Sequence, residues 1–153
     1  MKKLLSILMG LGLVLILVGC ASQETATFVQ KLDNADFFVT YTYDKNKDTV
    51  TKIKTELNQS SEFTMARKEN EELFNEIKGI DGVVTSITEK DGKDIFSVEV
   101  DLTKIQLSKI KESNSVFFKS LVQRGFLTED GGKVSFSKSK EAVLQHGYTE
   151  QKK

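Results

Sequence analysis

Few side chains in this sequence are of the types that carry chemistry, and their spacing decides what each can do. Cys20 is the only cysteine, so a disulfide within the chain is excluded and the thiol is left for nucleophilic chemistry such as alkylation. His146 is the only histidine; it cannot build a multi-histidine zinc site, and no second thiol joins it. A serine paired with His146 would need to be presented for attack, yet no Gly-x-Ser-x-Gly nucleophile elbow occurs. Asp44-Lys45-Asn46-Lys47-Asp48 sets oxygen ligands at the first, third and fifth places of a calcium loop. The match then fails, because Thr49 stands where glycine is needed, Thr55 stands where the closing glutamate belongs, and Lys45 and Lys47 oppose a divalent cation. The acidic pairs Glu71-Glu72 and Glu129-Asp130 read as solvated surface, since the separation of glycosidase carboxylates is set by the fold and no tryptophan is present to stack on sugar. No residue set amounts to a catalytic site or a metal ligand set, and nothing calls for a cofactor.

The position of Cys20 says more than its thiol does. Lys2 and Lys3 precede an uncharged run from Leu4 to Val18, the build of a secretory signal. The run is short of the roughly 17 to 25 apolar residues of a permanent span. Leu17-Val18-Gly19-Cys20 resembles the lipobox of bacterial lipoproteins. That resemblance implies cleavage between Gly19 and Cys20, a diacylglycerol thioether on Cys20, and palmitate-type acyl chains in the cell membrane on its extracytoplasmic face. Each buried methylene adds about 0.8 kcal/mol, so two acyl chains hold firmly. The stretch LGLVLILVG also has the composition of the short hydrophobic signalling peptides that some such signals release.

The expected organisation is a signal peptide over 1–19, a short tether over 20–26, and one domain over 27–153. The 22 basic residues less Lys2 and Lys3 leave 20 against 22 acidic, a formal net of −2. Interspersed charge of that balance speaks against a nucleic-acid partner. The chain has no proline, so no stiff spacer extends the tether, and partners or ligands are expected close to the membrane.

Hydrophobic period places the elements. Phe28, Gln30 and Leu32 alternate on one face of a strand, and Phe37, Val39, Tyr41 and Tyr43 on one face of the next. A turn at Asn34-Ala35 would set Leu32 opposite Phe37 and Phe28 opposite Tyr41. Phe38 then points away from the apolar face with Thr40 and Thr42, which makes it the candidate interaction residue. A third strand over 49–57 carries Thr51, Ile53, Thr55 and Leu57 on one side. Ala66, Leu73, Phe74 and Ile77 define an amphipathic helix with Thr64 as N-cap and Gly79 as stop. Asp91-Gly92 predicts a type I′ hairpin pairing Ile87 with Phe96, Thr85 with Val98 and Val83 with Val100.

The C-terminal third reads as three helical stretches. Two end alike, in Gly125-Phe126 and Gly147-Tyr148, the signature of a Schellman stop in which the aromatic folds back on the residue five earlier. In the stretch RGFLTEDGGKVSFSK, a helix, a glycine turn and a small hairpin resemble the wing of a winged-helix DNA-binding module, which the export signal and the lack of a basic recognition helix argue against. Together these predict an α+β fold: an antiparallel sheet of about five strands, ordered as three strands, a helix and two strands, then C-terminal helices, with the helices packed on one face.

In this order Tyr41-Thr42-Tyr43, Gly79-Ile80-Asp81-Gly82-Val83 and Gly147-Tyr148 resemble the YehR-like bacterial lipoproteins, over most of residues 28–151. Glu112 to Gly132 departs from that pattern. The resemblance implies a compact α+β domain on a lipid anchor and supplies no catalytic residues. The expected function is a binding or interaction module held on the bilayer through the Cys20 acyl chains, with a membrane-proximal protein or small molecule as partner. The alternative is a small surface hydrolase using carboxylates or a serine with His146.

Overall fold

The computed structural model describes residues 22–152. Strands β1 (Gln23–Lys31), β2 (Ala35–Asp44) and β3 (Thr49–Ser60) form a meander, and α1 (Thr64–Ile77) leads to the hairpin of β4 (Val83–Lys90) and β5 (Lys93–Asp101). Helices α2 (Leu107–Glu112) and α3 (Val116–Gln123) follow, then the short strands β6 (Glu129–Asp130) and β7 (Lys133–Val134), α4 (Phe136–Gln145) and β8 (Thr149–Glu150). The main sheet has six strands in the order β4-β5-β3-β2-β1-β8, one more than expected. The extra strand is β8, two residues that add to the edge of β1 opposite Phe28 and Val29, too short for any period to register in sequence.

One face of this sheet holds the core. Phe28, Val39, Tyr41, Ile53, Phe96, Val98 and Val100 are buried there beneath Phe74 and Ile77 of α1, Ile110 of α2, Phe118 and Leu121 of α3, and Phe136 and Val143 of α4. The other face is open and polar: the Thr27 and Thr40 hydroxyls meet at 2.9 Å, and Lys52 pairs with Glu99 at 2.9 Å. The described elements and core lie in the chain from Ser22 onward, so a chain beginning at Ala21 keeps every contact made among the described residues.

The register of the β4–β5 hairpin is the expected one, Ile87 opposite Phe96 and Val83 opposite Val100, with Asp91 at φ 53° and Gly92 at φ 71° as a type I′ turn demands. The first hairpin differs. Its turn is Asp33-Asn34, closed by the Leu32 N–H donating to Ala35 O, so Phe28 faces Val39 and Ala26 faces Tyr41. Asp and Asn suit a tight turn and alanine does not; the two-residue slip keeps every apolar side chain on its face. The strand also begins at Gln23, within the expected tether over 20–26, because the polar end of β2 takes Glu24 and Thr25 as ladder partners. In β3 a bulge opposite Thr42 and Tyr43 turns Val50, not Thr51, into the core. Helix α1 starts one residue earlier than a Thr64 cap would require: Phe63 holds the cap position without a side-chain bond, where the chain leaves β3 through a tight turn held by Ser61 on Gly92 O.

Candidate functional site

A groove opens between α1 and α3 above the sheet. Its floor is a row of three cross-strand neighbours, Phe37, Leu57 and Phe96, in direct register across β2, β3 and β5, backed by Thr55 and Val98 in the next row. Leu73 and Phe74 form the α1 wall and Phe117 and Leu121 the α3 wall. The cavity measures about 410 Å³, within the roughly 300–1,000 Å³ usual for small-molecule sites. Its walls are tied at one end, where Glu76 Oε2 of α1 accepts the Val116 N–H at 3.3 Å, a carboxylate placed at a helix N-terminus. At the mouth two large apolar side chains remain uncovered, Leu32 at 54% and Val116 at 57% exposure.

The stop of α3 shapes the other end. The Phe126 N–H donates to Leu121 O at 2.9 Å and the Gly125 N–H to Val122 O at 3.0 Å, the expected Schellman pattern, with Gly125 at φ 69°. The turn throws Phe126 inward against Phe37, ring centroids 6.2 Å apart, and its carbonyl accepts the Tyr41 hydroxyl at 3.0 Å. Burial pushes the Tyr41 hydroxyl well above its ordinary range, so it acts here as a fixed neutral donor. Arg124, just before the glycine, is the only charged side chain lining the groove. It lies beside Tyr148: burial raises the Tyr148 hydroxyl pKa, and the Arg124 guanidinium offsets part of that rise. The chain's other arginine, Arg67, is held by Glu71 and Asp94, whereas Arg124 has no carboxylate partner among the described residues.

The same Schellman bonds close α4, from Tyr148 N–H to Val143 O and Gly147 N–H to Leu144 O, which seats Tyr148 under Phe37 and Phe126. The larger depression, about 800 Å³ along the outer edge of β1, is lined by strand residues such as Gln23, Glu24 and Thr25 with Gln151 and Lys152. It is a wet strand edge, and the apolar lining of a ligand pocket belongs to the smaller groove.

The residues singled out from sequence lie elsewhere and apart. Phe38 is half-buried on the open face between Val29 and Glu56. His146 ends α4 with its ring Nδ1 2.8 Å from Ala142 O; Ser135 caps the start of that helix, roughly 16 Å away by helical rise, so the two do not meet. Asp44 turns back on its own loop, accepting the Asn46 and Lys47 N–H groups and the Ser22 hydroxyl. The Ser22 bond is the main reason its carboxyl is held below the usual range. Asp48 turns the other way, accepting from the Ser135 and Ser137 hydroxyls and the Ser137 N–H, so the two aspartates do not converge as calcium ligands would. Glu71 pairs with Arg67, Glu129 with Lys111 and Asp130 with Lys138. Gly19, Cys20 and the signal segment over 1–19 lie outside the described residues.

What the sequence reading missed is Leu32, Val116, Phe117 and Arg124. A signal was present: Val116, Phe117, Phe118, Leu121 and Val122 give α3 apolar residues nearly all round, the mark of a helix covered on more than one side.

A six-stranded antiparallel sheet covered on one face by helices, with an apolar groove at its end, defines an α+β architecture. The family described as "Protein of unknown function (DUF1307)" matches residues 24–149, and the chain belongs to this YehR-like lipoprotein family. Uncharacterized lipoprotein Lmo0207 of Listeria monocytogenes is 26% identical over 139 residues, covering 88% of this chain and 91% of the relative. Uncharacterized lipoprotein Lin0239 of Listeria innocua is 27% identical, covering 100% and 98%. The NMR structure of E. coli YehR superposes with a TM-score of 0.58 at 21% identity, over 84% of this chain and 90% of that one. An NMR structure of a protein from Streptococcus pneumoniae TIGR4 gives 0.62 at 16% identity, over 99% and 98%. These two show the fold.

Proposed function

We propose that this protein is an extracytoplasmic binding lipoprotein whose domain takes an apolar ligand into the groove between α1 and α3. Cys20, freed by cleavage after Gly19, carries the diacylglycerol thioether and the acyl chains that hold the domain on the membrane. The observation that carries the reading is the groove itself, where Phe37 and Leu57 of the floor are only partly buried while Leu32 and Val116 stand exposed at its mouth. A domain gains by covering such a surface, and nothing among the described residues covers it.

The test is thermal unfolding of the chain from Ala21 onward with a panel of amphiphiles, sugars, peptides and metal ions. A ligand at 100 times its Kd stabilises by about 2.7 kcal/mol. The expected result is a raised midpoint with apolar ligands that survives Phe38→Ala and disappears in Ser120→Trp, which places an indole in the groove. No rise with any apolar compound would refute the proposal. A rise lost in Phe38→Ala and kept in Ser120→Trp would move the site to the open face.

A further inference from the structure

Resting on that reading, we infer that the groove selects a single-chain anionic amphiphile, a fatty carboxylate, with the tail on the Phe37-Leu57-Phe96 floor and the head at Arg124. Three observations converge on this ligand. The lining is apolar except for Thr55, Asn70, Ser120 and Arg124, and the Asn70 amide is already spent on Ala66 O at 2.9 Å and the Ser120 hydroxyl on Phe117 O at 2.7 Å. The one charge is a cation, and it lies at the groove's end without a carboxylate of its own among the described residues. A planar guanidinium at the mouth of an apolar slot matches the forked geometry of a carboxylate. The floor crosses three strands, roughly 10 Å at about 4.8 Å spacing, room for one extended chain and too little for a two-chain lipid laid flat.

The experiment titrates the chain from Ala21 onward, after a cooperative melt has established its fold. The probes are hexanoate, octanoate, decanoate, dodecanoate and the matching alkanols, all below micelle formation. Affinity should rise roughly fourfold per methylene until the groove is filled and then level off. Decanoate should bind about fivefold tighter than decanol, the order of an exposed ion pair, and that ratio should fall with added salt. Arg124→Gln should bring the decanoate-to-decanol ratio to one, Arg124→Lys should keep most of it, and Ser120→Trp should remove both ligands. Equal binding of decanoate and decanol to the wild type overturns the carboxylate assignment and leaves the groove reading standing. Binding of neither, or binding untouched by Ser120→Trp, overturns both. A chain that sediments as a dimer and returns to monomer with Ser120→Trp would assign the groove to a second copy and overturn the amphiphile.

Discussion

Gly125 and Gly147 end α3 and α4 with the same bonds, yet they should respond to one added methyl very differently. Both sit at positive φ, 69° and 84°, where an L side chain costs roughly 1–2 kcal/mol. At Gly147 a Cβ would find only the Gln30 amide nitrogen at 3.6 Å, ordinary contact, so Gly147→Ala should lose that strain alone. At Gly125 the Cβ would meet the Ala142 Cβ at 2.7 Å. That carbon is fixed to the α4 backbone and cannot swing aside, so the two elements must part. Overpacking of this kind adds about 1–3 kcal/mol, which puts Gly125→Ala at roughly 2–5 kcal/mol. That is a large share of the 5–15 kcal/mol typical of a domain. The assay is urea unfolding followed by circular dichroism on the chain from Ala21 onward, for both variants, Ala142→Gly and the Gly125→Ala with Ala142→Gly double variant. Ala142→Gly alone should cost about 1 kcal/mol as a helix-interior glycine. In the double variant the clash is gone, so the cycle should show a favourable coupling of about 1–3 kcal/mol. If the two glycine variants agree within about 0.5 kcal/mol and the cycle closes without coupling, the close approach of Gly125 to Ala142 does not constrain the α3 stop against α4 as its 2.7 Å separation implies.

Two further outcomes follow from the charges and a third from the anchor. Asp94 has no exposed side-chain surface and meets Arg67 Nη1 at 2.9 Å, whereas Glu71 on the same arginine is 44% exposed; Arg67→Met should therefore lower the urea midpoint clearly and Glu71→Gln hardly at all, and equal effects would refute the distinction. At Asp48 burial raises the carboxyl pKa, but the Ser135 and Ser137 bonds outweigh it and hold the value below the ordinary one. A depressed carboxyl stabilises fully above its unfolded value of about 3.9 and loses that contribution as pH falls through the folded value. Asparagine tolerates the φ of 49° at this position, so Asp48→Asn isolates the charge. Its deficit should be constant from neutral down to about pH 5 and shrink below that; a deficit that grows toward acid would reverse the sign. Cys20→Ser should leave the precursor uncleaved and without lipid, seen by mass and by membrane fractionation, while a lipid-modified Cys20→Ser chain would refute the anchor.

The hairpins were legible where turn chemistry and face agreed. Asp91-Gly92 fixes a turn that only one register satisfies, and Ile87, Thr85 and Val83 all fall on the apolar side in that register, so two independent constraints point the same way. In the first hairpin the faces were right and the register was not. A slip of two residues leaves every side chain on its own face, so hydrophobic pattern cannot resolve it, and the choice fell to whether Asp33-Asn34 or Asn34-Ala35 makes the turn. Gln23 to Thr25 gave no strand signal at all, because their pairing with Thr42, Tyr43 and Asp44 is a demand of the neighbouring strand. The Schellman stops were read correctly because their bonds are local, all within five residues of sequence.

The groove is the opposite case, and the reason is specific to how a pocket is made. Its floor joins Phe37, Leu57 and Phe96, each of which looks in sequence like any other core residue, and whether a core position ends up covered depends on where a helix stops short. Phe38 drew attention because it broke the alternation, but breaking a pattern marks exposure on the sheet's far side and says nothing of depth. Two residues carried the better clue. Leu32 is drawn from a strand pattern into the hairpin tip and left 54% exposed, and Val116 begins a helix that is apolar on too many sides yet remains 57% exposed. Each is an apolar side chain that the fold has failed to bury, and both border the same cavity. Isolated exposed leucines and valines need no explanation; two that converge on a three-strand apolar floor, with an arginine lacking a carboxylate partner at its end, are the surface a ligand would complete.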